Sequence, residues 1–168
     1  QGLRLALGDH DGGDQRDEIY VSRAGPSNAV VRVINGDTGA LIKSVTVFGN
    51  FQGGINVGSV DGTNDGKFDL VVSRDAAGTP PVLNILKSTD NSLVRQISAY
   101  APSITQGIRI WAGALFQGGS NVNIITSVRP GGFPRIKVFD AFNGNVLSTF
   151  DAFASNMTAG VFVLGLIR

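Results

Sequence analysis

An all-β fold built from three copies of one unit is what this sequence predicts, and three observations predict it. A short apolar segment recurs every 52 or 53 residues, as Leu3-Arg4-Leu5, Ile55-Asn56-Val57, Ile108-Arg109-Ile110 and Val161-Phe162-Val163. Charged residues make up only 16% of the 168-residue chain while 23 residues are glycine, a composition of tight turns and not of helices rich in Glu, Lys and Ala. The apolar runs are short, rich in β-branched side chains, and bounded by Gly, Pro, Asn and Asp.

The elements repeat in order. The first strand of each unit begins at Leu3, Ile55 and Ile108, and Gly54, Gly107 and Gly160 stand just before the later copies of this segment. The second strand is Glu18-Ile19-Tyr20-Val21-Ser22-Arg23, then Asp69-Leu70-Val71-Val72-Ser73-Arg74, then Asn123-Ile124-Ile125-Thr126-Ser127-Val128. The third is Val31–Ile34, Val82–Leu86 and Arg135–Phe139, in which Arg32 and Lys137 sit between apolar neighbours, as on a strand with one solvated face. Turns follow at Asn35–Gly39, Ser88–Asn91 and Phe142–Asn145, made of residues that tolerate the positive φ a tight hairpin needs. The last strand spans Leu41–Phe48, Leu93–Tyr100 and Val146–Phe153. No segment reads as a helix in all copies.

Four antiparallel strands in a unit of ~50 residues form the blade of a β-propeller. One blade cannot bury both of its faces, so blades come in arrays. The expected units are 3–54, 55–107 and 108–160, with 161–168 as the first strand of a fourth blade, pairing with another blade or subunit. Ala6, Gly58 and Ala112 in the first strands suit crowding near a central axis. The alternative is a β-trefoil, which also uses three four-stranded units; the surplus segment Val161–Leu166 speaks against it. Closed propellers have ~4–8 blades, so three make a partial ring that calls for further blades of a longer chain or for self-association. The apolar edge Val161–Leu166 is a template for such pairing.

The acidic turn between the first and second strands carries the metal expectation. In the second unit Asp61, Thr63 and Asp65 put oxygens at alternate positions, Gly66 allows a sharp turn, and Asp69 returns a carboxylate. Ca²⁺ takes ~6–8 oxygen ligands, and such a loop can wrap them round one ion. The competing reading is a polar turn that satisfies its own backbone through Asx hydrogen bonds. The first unit holds a longer version in which Asp9, Asp11, Asp14 and Asp17 are the candidate ligands and Gly13 falls where an Asp is expected. The third, Ala114–Val122, has no carboxylate and is expected to hold no ion.

These units resemble FG-GAP or VCBS-type repeats, as in the propellers of integrin α-subunits. The resemblance is carried by Gly8-Asp9 leading into the acidic loop, Asp61–Asp69 followed by Leu70-Val71-Val72, Ala24-Gly25-Pro26 and Arg129-Pro130-Gly131-Gly132 after the second strand, Arg135–Asp140, and the Asn35–Gly39 turn with Ala40-Leu41. It spans nearly the whole chain. It implies Ca²⁺ in the first loop of each blade and a place in extracellular adhesion, surface scaffolding or self-assembly. The third unit departs from the pattern by lacking the ligands, and the second by Asp75–Pro81 in place of a Gly-Pro-Gly loop.

Other classes are weaker. A formal net charge of +1 with scattered Arg and Lys does not suit nucleic acid or an anionic membrane, and no apolar stretch approaches the ~20 residues that span a bilayer. The absence of cysteine excludes disulfides and thiolate metal sites and fits a secreted or surface protein. His10 is the single histidine, too little for a His-type metal site or a hydrolytic triad placed elsewhere. The first strands offer only Arg4, Asn56 and Arg109 as polar groups near the expected axis, so the chain is expected to be a non-catalytic module binding a protein or glycan at the cell surface. A lectin-like propeller is the alternative. Trp111, in a first strand, is expected in the core, with sugar stacking as its other role, and the Arg pair hints at an anion-lined channel.

Overall fold

The computed structural model describes residues 2–13, 16–114 and 122–164. Among them the chain is all β: twelve strands in three four-stranded antiparallel sheets, and no helix, hence none long and apolar enough to cross a membrane. The first sheet holds β1 (Gly2–Gly8), β2 (Glu18–Ala24), β3 (Val30–Ile34) and β4 (Leu41–Thr46). The second holds β5 (Gly54–Val60), β6 (Asp69–Asp75), β7 (Val82–Leu86) and β8 (Leu93–Ser98). The third holds β9 (Ile108–Ala114), β10 (Val122–Val128), β11 (Arg135–Asp140) and β12 (Val146–Asp151). Every sheet is a meander whose strands pair in chain order.

The repetition extends to register. Leu3 lies opposite Arg23, Ile55 opposite Arg74 and Ile108 opposite Val128. The pairing of third and fourth strands shifts at one place in each sheet, between Val33 and Ile34, Ile85 and Leu86, and Val138 and Phe139. Those shifts sit beside the turns the sequence predicts. Each turn is closed by two main-chain bonds, such as Asn35 N–H to Ala40 C=O at 2.8 Å and Gly39 N–H to Asn35 C=O at 2.9 Å. The left-handed position falls on Gly39, Asn91 and Gly144, residue types that tolerate it.

Successive sheets pack face to face. Tyr20, Val31, Val33, Val45, Ile55 and Val72 form the core between the first and second. Leu83, Ile85, Ile97, Ile108, Ile124 and Phe139 form the core between the second and third. Polar ties hold the same junctions. Buried Ser22, Ser73 and Ser127 donate their hydroxyls to the carbonyls of Ile55, Ile108 and Val161 at 2.9, 2.9 and 2.7 Å. At the other edge Lys43 donates to the Ser88 carbonyl and Arg95 to the Phe142 carbonyl. The recurrent glycines explain themselves here: a Cβ on Gly107 would lie 2.8 Å from the Ala76 carbonyl oxygen, and one on Gly160 2.6 Å from Pro130 N. Gly58 and Ala112 likewise let β5 and β9 approach, a Cβ at 58 meeting that of Ala112 at 3.1 Å.

The two ends of the stack differ from its middle. Leu3 and Leu5 are each 62% exposed, whereas their equivalents Ile55, Val57, Ile108 and Ile110 are 1%, 6%, 0% and 8% exposed. On the opposite end Phe150 is 51% exposed, whereas its equivalents Val45 and Ile97 are each 5% exposed. Val161 receives the Ser127 bond as Ile55 and Ile108 receive theirs, but Val161–Leu164 forms no strand. Residues 165–168 of the expected fourth-unit strand lie outside the described residues.

Tyr100 crosses the second junction, its hydroxyl 3.0 Å from the Thr126 carbonyl and 2.9 Å from that of Arg135. Burial pushes its pKa up to about 12 from 10.0, against the partly offsetting bond from Thr126. A phenol with a folded pKa above its unfolded value holds its proton longer when folded. Stability therefore falls as pH rises from about 10 to about 12. Tyr100→Phe is expected to cost about 1 kcal/mol at neutral pH by urea unfolding and to flatten part of that alkaline decline. An unchanged slope between those pH values would contradict this account.

Candidate functional site

Two acidic loops lie side by side, one before β2 and one before β6. Phe68 N–H reaches the Asp9 carbonyl at 2.8 Å, which fixes their spacing. In the first loop Asp9 accepts Gly12 N–H at 2.7 Å, Asp11 accepts Gly13 N–H at 3.1 Å, and Glu18 accepts His10 N–H at 2.7 Å. These bonds fold the loop so that one oxygen from each of Asp9, Asp11 and Glu18 lies within 4.8 Å of the others. Glu18 is buried at the start of β2. Asp17 is exposed and outside this group, and Asp14 lies outside the described residues.

The second loop has turned its carboxylates to other uses. Asp61 accepts the N–H groups of Asp65 and Gly66 at 3.2 and 3.0 Å, and Asp65 accepts that of Lys67 at 3.1 Å. Asp69 is fully buried; its oxygens take Ser88 N–H at 2.9 Å and the Thr63 hydroxyl at 3.2 Å. Burial raises its pKa, and those two hydrogen bonds oppose the rise. The loop thus satisfies its backbone through Asx bonds. Among the described residues the carboxylates of Asp61, Asp65 and Asp69 do not come within 4.8 Å of one another as those of Asp9, Asp11 and Glu18 do, while Thr63 touches Asp69. The sequence expectation ranked the second loop first. It passed over Glu18 as a ligand, although Glu18 aligns with Asp69 in the repeat. The third loop, residues 115–121, lies outside the described residues.

His10 belongs to the first loop's support. Its Nδ1 lies 3.0 Å from the Tyr20 hydroxyl, whose proton goes to the Phe68 carbonyl at 2.6 Å. Burial, then Lys43, holds the imidazole below its ordinary pKa.

A second site opens between the first strands. A cavity of about 730 Å³ is walled by β1, β5, β9 and the segment 162–164. Leu3, Leu5, Val57 and Ile110 give it apolar surface, and Arg4, Asn56 and Arg109 project polar groups from equivalent positions. Trp111 lines it, half-buried; its indole lies where a Cβ on Gly113 would be, at 2.7 Å. Arg4 donates to Asn56 Oδ1 at 3.1 Å and to Asp75 Oδ2 at 3.0 Å. Asn56 donates to the Ile108 carbonyl at 2.8 Å, and Arg109 to the Val161 carbonyl at 3.1 Å. Arg109 also lies over the Phe162 ring at 3.6 Å. Arg129 brings its Nε to 2.6 Å from Asp75 Oδ1, an ion pair too poorly aligned to count as a hydrogen bond. Asp75 and Arg129 were invisible as site residues in the sequence, where they sit in separate units.

No protein-family model matches the chain, and no curated protein matches it. Among solved structures, a rhamnogalacturonan lyase from Bacillus licheniformis has a similar fold, with a TM-score of 0.62 over 91% of this chain at 14% sequence identity. The chain spans about a third (34%) of that protein's length, and at this identity the likeness is one of fold.

Asp69→Ala, measured in chelator, is expected to destabilise by about 1–3 kcal/mol, because it strands the buried Ser88 N–H and the Thr63 hydroxyl. Asp65→Ala, which removes an exposed turn bond and a partly exposed ion pair to Lys87 at 4.0 Å, is expected to stay within about 0.5 kcal/mol. Equal effects at the two positions would refute the division of labour within the loop.

Proposed function

We propose that this chain is a non-catalytic, extracellular interaction or structural module: three consecutive blades of a β-propeller of the FG-GAP or VCBS type, steadied by Ca²⁺ at the first acidic loop. What carries the reading is the junction between sheets. It recurs twice with the same serine tie and the same apolar positions, and β1, β5 and β9 gather round one cavity. Blades about an axis account for both features better than a trefoil does. The uncovered Leu3–Leu5 and Phe150 faces then call for further blades or a second copy, which makes adhesion, surface scaffolding or self-assembly the module's use.

Ca²⁺ fits the first loop on chemical grounds. Asp9, Asp11 and Glu18 are hard oxygen donors already brought together, and each carboxylate has two oxygens, one of which accepts a main-chain N–H. A cation there neutralises three carboxylates that otherwise repel one another.

Two measurements test the proposal. An ion that binds only the folded chain at 100 times its Kd adds about 2.7 kcal/mol, so the unfolding midpoint should rise with Ca²⁺. Glu18→Gln should abolish the rise. A rise that survives Glu18→Gln but disappears in Asp65→Asn would move the ion to the second loop, and no rise at all would remove Ca²⁺ from the account. Light scattering should show association that Leu5→Glu weakens; a monomer at every concentration would leave only further blades of a longer chain to cover that face.

A second reading, a glycan-binding propeller, is favoured by the cavity itself, where an indole stands beside guanidinium and amide groups. The fold likeness to a lyase of rhamnogalacturonan lends it support.

A further inference from the structure

We propose that the cavity between β1, β5 and β9 holds a carboxylate-bearing sugar, with Arg4 and Arg109 taking the carboxylate and Trp111 taking an apolar sugar face. The inference rests on the glycan-binding reading and names its ligand class.

Charge is the first argument. Two guanidinium groups, Arg4 and Arg129, pair with one carboxylate, and a third, Arg109, lies within electrostatic reach of them. Asp75 pairs with Arg4 at 3.0 Å and Arg129 at 2.6 Å, and Arg109 feels all three charges. Asp75 has only 4% of its side chain exposed, so it is committed to this cluster. Three positive charges against one negative leave a formal excess of two, in a place partly removed from water. Like charges so arranged are costly unless an anion joins them.

Unmet hydrogen-bonding capacity is the second. The Nε of Arg109 is buried without a hydrogen-bond partner, whereas Arg129 Nε and Asp75 Oδ1 are spent on each other at 2.6 Å. Arg109 uses one terminal nitrogen on the Val161 carbonyl. A guanidinium presents five donors in a planar fork that matches a carboxylate, so the cluster has donors in hand. Burial holds Arg109 below its ordinary pKa, which agrees with a charge short of partners.

The walls decide between a sugar acid and a bare anion. A volume of about 730 Å³ is far larger than phosphate or acetate needs and falls in the range of small-ligand sites, about 300–1,000 Å³. Its lining is mostly apolar, with one indole held over Gly113. A pyranose has an apolar C–H face for the indole and hydroxyls for Asn56, while its carboxylate meets the arginines. An inorganic anion would leave Trp111 and the apolar surface of Val57 and Ile110 unused.

Trp111 is the sole tryptophan, so its fluorescence reports on this cavity alone. Titration with trigalacturonate is expected to give a saturable change in emission. Neutral galactotriose should bind at least about tenfold more weakly. Arg109→Gln should weaken trigalacturonate binding about tenfold or more, and Arg109→Lys, which keeps the charge but not the fork, should also weaken it. Urea unfolding of both variants checks that they remain folded, and a variant that does not is replaced by Arg4→Gln. Equal binding of the acidic and neutral sugars would overturn the inference while leaving the glycan reading intact. No response to either would overturn both. Inorganic phosphate displacing trigalacturonate at comparable concentration would reduce the site to a simple anion site and overturn the sugar assignment.

Discussion

A buried serine in the second strand of each unit donates its proton to the carbonyl that opens the next unit, and the apolar faces on either side close around that bond. A sheet of four short strands has two faces and too little area to shield them by itself. Here the second sheet is covered on both sides, and its first strand β5 is buried along its whole length. The hydroxyl bond sets the depth at which one sheet meets the next, and the apolar residues supply the free energy, about 25 cal/mol for each Å² removed from water. Gly54 at the head of β5, Gly107 before β9 and Gly160 before Val161 follow from the same contact, since a side chain there would collide with backbone of the preceding unit.

The acidic loops depend on this stacking too. Phe68 bonds to Asp9 across the junction, and Tyr20 reaches from the first sheet to the Phe68 carbonyl. The two loops are therefore supported by each other's sheets. Within that frame the same acidic turn has two solutions. In the first, three carboxylates gather at one point, which suits a cation. In the second, Asp69 faces inward to the Lys87-Ser88 turn and acts as a buried hydrogen-bond hub. A turn rich in Asp and Gly is compatible with either, because an Asp carboxylate serves equally as an Asx acceptor or an ion ligand.

The cavity is the product of three strands that are far apart in the chain. Arg4, Asn56 and Arg109 occupy one repeated position, and each touches the next unit, so the row is partly structural. Charge accumulates because two of the three are arginine and only one acidic residue, Asp75, is drawn into the row. Trp111 departs from the expected core role: it is half-buried at the cavity wall.

Much of this was legible in the residues. The period of 52 or 53, the four strands per unit, the turn glycines and Asn91, and the recurrent Val-Ser-Arg segment all express local rules of alternation and φ preference, which a sequence displays directly. The all-β class and the three meanders follow from them. Tertiary structure decided the rest. Which carboxylates converge depends on how Asp69 and Glu18 are turned by partners in other strands. The pairing of Asp75 with Arg4 and Arg129 depends on sheets meeting across 71 and 54 positions of sequence. Which leucines are left uncovered depends on what lies against each face. Strand-forming patterns are short-range and survive in one dimension; contacts between sheets are set by the joint shape of surfaces distant in the chain, and those exist only once it has folded.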